Sequence, residues 1–172
     1  LISMPRVDRY LQAQAKLELG DLYILKGEVW DAMLAFGQVD KDFLEEPIGQ
    51  EAKFRNARLS YYMGEFDWAK AQLDVLKTAT TQLIANNALE LSLLIQDNTI
   101  DSTELEPLKM FANADLNMVQ NNLDIALQLL DSLKLNYPKT GLNDDIIFKK
   151  AEIAMKRRNY VEAATYYKQV LH

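Results

Sequence analysis

The residues whose type and spacing first suggest proton chemistry are one histidine and two adjacent carboxylate pairs. His172 is the only histidine and the last residue, and there is no cysteine. A histidine-based triad, proton shuttle or metal site therefore has only a chain-terminal imidazole to draw on. Thiolate nucleophiles, thiolate metal sites and disulfides are excluded. Glu45–Glu46 and Asp144–Asp145 could in principle form acid/base pairs. They fall, however, at expected connections between helices, where carboxylates serve solubility and helix capping. No glycine-rich phosphate loop is present. These residues argue against an enzyme and call for no cofactor and no metal.

Composition narrows the remaining classes. Of 172 residues 49% are hydrophobic and 26% charged, a globular balance, and only four prolines and six glycines interrupt it. The abundant Leu, Ala, Lys, Glu, Gln and Met lose little rotamer freedom in a helix. A net charge of −6 without a basic block repels a phosphate backbone, so nucleic acid is not an expected partner. No apolar run approaches the ~20 residues a membrane span needs. The chain opens LISMPRVDRY without an initiator methionine, and we expect a piece of a longer protein.

The elements that would present binding residues emerge from an internal repeat. Val29, Ala32, Phe36 and Val39 are spaced 3, 4, 3, and the same rhythm returns at Phe66, Ala69, Leu73, Leu76. It returns again at Leu123, Ala126, Leu130, Leu133 and at Tyr160, Ala163, Tyr167, Val170. That spacing makes one stripe along a helix. All sixteen positions are apolar, a coincidence on the order of 10⁻⁵ at this composition before allowing for choice of register, and the second is always alanine. Twelve residues before each alanine stands a small residue, Gly20, Ala57, Ala114 or Ala151. Gly27, Gly64 and Asn121 follow seven residues later at the expected chain reversal, and Arg158 departs from that pattern. Each copy reads as a helical hairpin whose axes approach closely. The tryptophans Trp30 and Trp68, near the starts of second helices, are expected to pack within the hairpins.

The alanines are 37 residues apart from Ala32 to Ala69 and from Ala126 to Ala163, but 57 apart from Ala69 to Ala126. The surplus holds Ile84, Ala88, Leu91 and Ile95 in one stripe, predicting an extra helix over approximately 80–96. Asp101 or Thr103 would cap the helix after it, with Pro107 in its first turn.

This pattern resembles the tetratricopeptide repeat, a helix–turn–helix unit of about 34 residues. Gly20, Gly27, Ala32 and Phe36 match the family's small residue, turn glycine, alanine and aromatic, and Pro138 matches its closing proline. The family's tryptophan is replaced by Lys16, Lys53, Met110 and Ile147, so the copies are degenerate. The signature residues would be Gly20, Ala32, Phe36, Ala57, Ala69, Leu73, Ala114, Ala126, Leu130, Ala151, Ala163 and Tyr167. The resemblance implies an all-α fold, a right-handed superhelix of about nine antiparallel helices, with the extra helix between the second and third repeats. The repeats would span approximately 13–46, 50–79, 107–138 and 144–172 within a single domain of residues 1–172.

It also implies a non-catalytic scaffold that binds a protein or peptide through the concave face lined by the first helices. The residues carried over to that face are Leu17, Asp21, Phe54, Arg58, Tyr61, Phe111, Asp115, Met118, Phe148, Glu152 and Met155. An open row of phenylalanines with methionine and tyrosine beside it would suit an extended or helical peptide. The alternative is that these rings fill the joints between repeats, with Arg58, Asp115 and Glu152 a solvated face. The lysines and asparagines with which some members clamp a peptide carboxylate are missing. A structural spacer within a longer repeat protein is the rival function. Self-association through the repeat ends is a further expectation. Tyr137-Pro138, Asp144-Asp145 and Ala151-Glu152 resemble members found in the bacterial periplasm and cell envelope, the cytoplasm being the alternative.

Overall fold

The computed structural model describes residues 8–78, 81–99 and 104–171, and within them the chain is all-α. Nine helices occur among the described residues and no strand. They are α1 (Arg9–Lys26), α2 (Val29–Asp42), α3 (Pro47–Tyr62), α4 (Phe66–Leu76), α5 (Gln82–Asp97), α6 (Glu106–Val119), α7 (Leu123–Asn136), α8 (Asn143–Lys156) and α9 (Tyr160–Val170). Neighbouring helices pack consecutively. The additional helix between the second and third repeats is α5, displaced slightly from the expected span, whose Thr80 lies outside the described residues, as do Asp101, Thr103 and His172. Pro107 sits in the first turn of α6 as expected.

Contacts gather into two compact units. One comprises the described residues of Leu1–Ser60 and Asp67–Ser92, the other those of Tyr61–Phe66 and Leu93–His172. In the first, Gly20 of α1 lies so close to α2 that a β-carbon there would stand 2.2 Å from Phe36 Cε1. Ala32, Phe36 and Val39 are sealed against that approach. Lys53 of α3 pairs with Asp40 of α2 at 2.9 Å. Gln72 of α4 donates to Ser60 Oγ at 3.2 Å, and Ser92 of α5 donates to Asp74 at 3.1 Å. In the second unit α6–α7 and α8–α9 form hairpins, with Ala126, Leu130, Leu133 and Ala163 buried.

The ends of the first helices share one solution. Gly27, Asn121 and Arg158 have φ of 81°, 61° and 59°, all left-handed. At each, the next amide reaches back to a carbonyl five residues before it: Glu28 to Tyr23, Asn122 to Asn117, Asn159 to Ala154, at 2.8–2.9 Å. This closure satisfies carbonyls that the helix end would leave open. Arg158, which breaks the pattern by residue type, keeps it by conformation. The cause is the repeat: a hairpin closed by seven residues of helix needs that reversal whatever side chain stands there.

One expectation is corrected. Trp30 and Trp68 are 71% and 61% exposed rather than packed within hairpins. The alanine stripe, not the tryptophans, faces the partner helix.

Two substitutions test this account. Gly20→Ala should lower stability by about 1–3 kcal/mol, because the overlap with Phe36 outweighs the helix-propensity gain of roughly 1 kcal/mol. Arg158→Gly should raise it by about 0.5–1 kcal/mol through relief of left-handed strain. Denaturant unfolding of both variants measures each sign.

Candidate functional site

Each first helix carries the proposed contact residues on one stripe, because positions i, i+4 and i+7 share a face. On α1 these are Leu17, Asp21 and Ile24; on α6 Phe111, Asp115 and Met118; on α8 Phe148, Glu152 and Met155. The stripes differ in what covers them. Leu17 and Ile24 are buried, and so are Phe111 and Met118. Phe148 and Met155 are 44% and 45% exposed. Phe54 and Tyr61 on α3 are buried. The open phenylalanine row is thus replaced, at Leu17, Phe54, Tyr61, Phe111 and Met118, by the alternative in which these side chains fill joints. Phe148 alone of the three phenylalanines keeps an open face, its ring set edge-on to Tyr167 at 5.5 Å between centroids.

In the first unit, Asp21 accepts from Arg55 Nη1 of α3 at 2.7 Å, and Arg55 also holds Glu51 at 2.8 Å. Arg58 places its guanidinium 5.8 Å from the Phe54 ring centre. Burial raises the Asp21 carboxyl above its ordinary value, opposed by Arg55 and Arg58. In the second unit, Lys149 of α8 spans Asp115 of α6 at 3.2 Å and Glu152 at 3.1 Å. The Tyr61 hydroxyl donates to Asp115 Oδ2 at 3.0 Å. Burial raises the Asp115 carboxyl despite Lys149, and burial followed by Asp115 drives the Tyr61 hydroxyl well above its usual value. Burial works to lower Lys149, but Asp115 and Glu152 together outweigh it and raise the ammonium.

Arg55 and Lys149 were not singled out by sequence, yet they hold the acids that were. Their signal was present: they stand 94 residues apart, as do Asp21 and Asp115. The chemistry of both clusters is ion pairing across helices. Asp144 and Asp145 lie in the first turn of α8, where the helix dipole favours carboxylates. A separate cleft of about 630 Å³ in the second unit is lined by Glu104, Pro107, Asn136, Tyr137 and Lys139 among others. Among the described residues no group of three His, Cys, Asp or Glu side chains is placed to hold a metal ion. No described helix is long and apolar enough to cross a membrane. Comparison with protein-family models, curated proteins and solved structures finds no match.

Lys149→Met strands the Asp115 charge and should cost about 2–3 kcal/mol, with Lys149→Met/Asp115→Asn recovering much of it. Folding holds the Lys149 and Tyr61 protons more tightly than their ordinary values of 10.5 and 10.0. Their contribution to stability is full below pH 10 and lost as pH climbs through the raised values. Melting temperatures recorded upward from pH 9 should therefore fall more steeply for the wild type than for Lys149→Met. On the acid side, Lys77 and Lys70 hold Asp74 down at about 2. That contribution is present above pH 3.8 and fades as pH drops toward 2, a slope that Asp74→Asn should flatten.

Proposed function

We propose that this chain is a degenerate tetratricopeptide-type repeat protein acting as a non-catalytic scaffold for a protein or peptide partner. The observation that carries the reading is the contrast between equivalent stripes. Phe148 and Met155 remain nearly half exposed, while Phe111 and Met118, 37 residues earlier, are 1% and 6% exposed. An aromatic and a methionine flanking a carboxylate offer apolar contact with few angular demands and one polar anchor. The four hairpins in register, with their shared left-handed closures, support the family part of the reading.

A second reading, a structural spacer within a longer repeat protein, draws support from the burial of Leu17, Phe54, Tyr61, Phe111 and Met118. Side chains closed in joints bind nothing else.

Affinity capture from cells of the source organism separates the two. The Phe148→Ala/Met155→Ala chain should lose at least ten-fold of a partner retained by the wild type, while its melting temperature shifts by no more than about 2–4 °C. Equal retention by both chains would favour the spacer.

A further inference from the structure

Each second helix has a side that every copy of the repeat leaves open. Trp68 of α4 stands where Asp31, Ile125 and Glu162 stand in the other copies, and all four are exposed. One turn on, Ala71 is exposed together with Leu34, Gln128 and Thr165. Another turn on, Val75 is exposed together with Gln38, Ser132 and Gln169. Inner and outer copies share this openness, so it belongs to the position in the repeat and not to a missing neighbour. Only α4 fills these positions with two large apolar side chains, Trp68 at 61% and Val75 at 64% exposure, with Ala71 between them. The other copies place at most one there.

The charges beside this seam run in mirrored order. Counted from Gln72, Asp67 lies five residues before and Lys77 five after, while Lys70 lies two before and Asp74 two after. Around the same centre Trp68 lies four before and Val75 three after. Helical spacing sets Trp68 and Val75 along one edge of the outward side and the four charges along the other. An antiparallel crossing of two α4 helices about a two-fold axis keeps like edge against like edge. It therefore sets Asp67 against Lys77, Lys70 against Asp74, and Trp68 against Val75, each contact made twice. A parallel crossing would set every charge against its own kind.

This order selects the occupant. A chain of net charge −6 repels its own kind over most of its surface. The two acids and two lysines of α4 cancel, and their sequence complements itself only when read backwards, which is what a second copy supplies. Within its own chain Asp74 holds Lys70 at 2.9 Å and Lys77 at 2.6 Å. Asp67 makes no hydrogen bond or ion pair among the described residues. Each lysine has three donors, so Lys77 can take the Asp67 of the opposite copy without releasing Asp74. Ala71, close to the crossing point, lets the two axes approach.

We propose that two copies of this chain associate through the outward side of α4, crossing antiparallel about Gln72. The proposal does not rest on the scaffold reading, and it moves the self-association expected at the repeat ends to α4. The indole supplies most of the contact, since a buried tryptophan covers about 150–250 Å². The exposed ion pairs add little strength and fix direction and register. The eleven residues of α4 span about 16 Å. Such a seam falls short of the ~800 Å² per partner of a standard interface, so the dimer is weak and reversible.

Sedimentation equilibrium of the full chain from about 10 µM to about 1 mM tests this. The wild type should pass from monomer to dimer with a dissociation constant of roughly 10–500 µM. Trp68→Glu should weaken the dimer at least ten-fold, and Glu162 at the same position of the fourth copy shows that a glutamate suits the hairpin. Asp67→Lys and Lys77→Asp should each weaken it about three-fold or more. An equimolar mixture of these two variants should recover wild-type association, because every Asp67–Lys77 contact is again acid with lysine. Melting curves confirm that each variant folds. A wild type that stays monomeric throughout overturns the proposal, and capture of a different protein lost on Trp68→Glu would then assign the face to that partner. Association untouched by Trp68→Glu but dissolved by Phe148→Asp assigns it to the repeat end and equally overturns the proposal. No recovery in the mixture overturns the antiparallel crossing.

Discussion

A helical hairpin has two apolar flanks and can shelter only one of them with its own second helix. That constraint governs the chain. Where Arg55 of α3 reaches Asp21 of α1 and Lys149 of α8 reaches Asp115 of α6, each cation stands among three buried apolar residues: Ile48, Ala52 and Leu59 in one unit, Leu142, Ile146 and Ile153 in the other. Burying an isoleucine or leucine in such a stripe contributes about 1.5–3 kcal/mol. A joint of this kind therefore outweighs any single cap or surface pair. The close approach at Gly20 and Phe36, and the alanines at 32, 69, 126 and 163, serve the other flank by letting the axes of each hairpin come together.

The ion pairs at the joints are selective more than strong. Asp115 is drawn out of water and Asp21, its side chain 41% exposed, only partly so; burial raises both carboxyls, and Arg55 and Lys149 return only part of that cost. A buried pair of this sort contributes little against an apolar replacement but heavily penalises a wrong partner. An acid in place of Lys149 would set a second carboxylate against Asp115, whose side chain is only 13% exposed.

Much of this was legible in the sequence. The 3-4-3 stripes, the alanine positions, the turn residues and the additional helix all follow from local periodicity, and the helices stand where it places them. Arg158 shows where residue type misleads: the backbone conformation at that position is imposed by the hairpin on either side. The tryptophans show the opposite limit. Size and hydrophobicity argued for burial of Trp30 and Trp68, but a stripe of alanines had already claimed the face toward the partner helix.

What the sequence by itself determined is which face of each helix is apolar and at what period the pattern returns, because those depend on side chains a turn or two apart. It could not say which apolar stripes are covered. Phe111 and Phe148 occupy equivalent positions, and only the presence or absence of a neighbouring helix separates 1% from 44% exposure. The same holds for Arg55 and Lys149, unremarkable as charged residues until the joint brings each beside an acid 34 residues away in the chain. Coverage is a property of distant segments meeting in space, and so only the tertiary structure decided it.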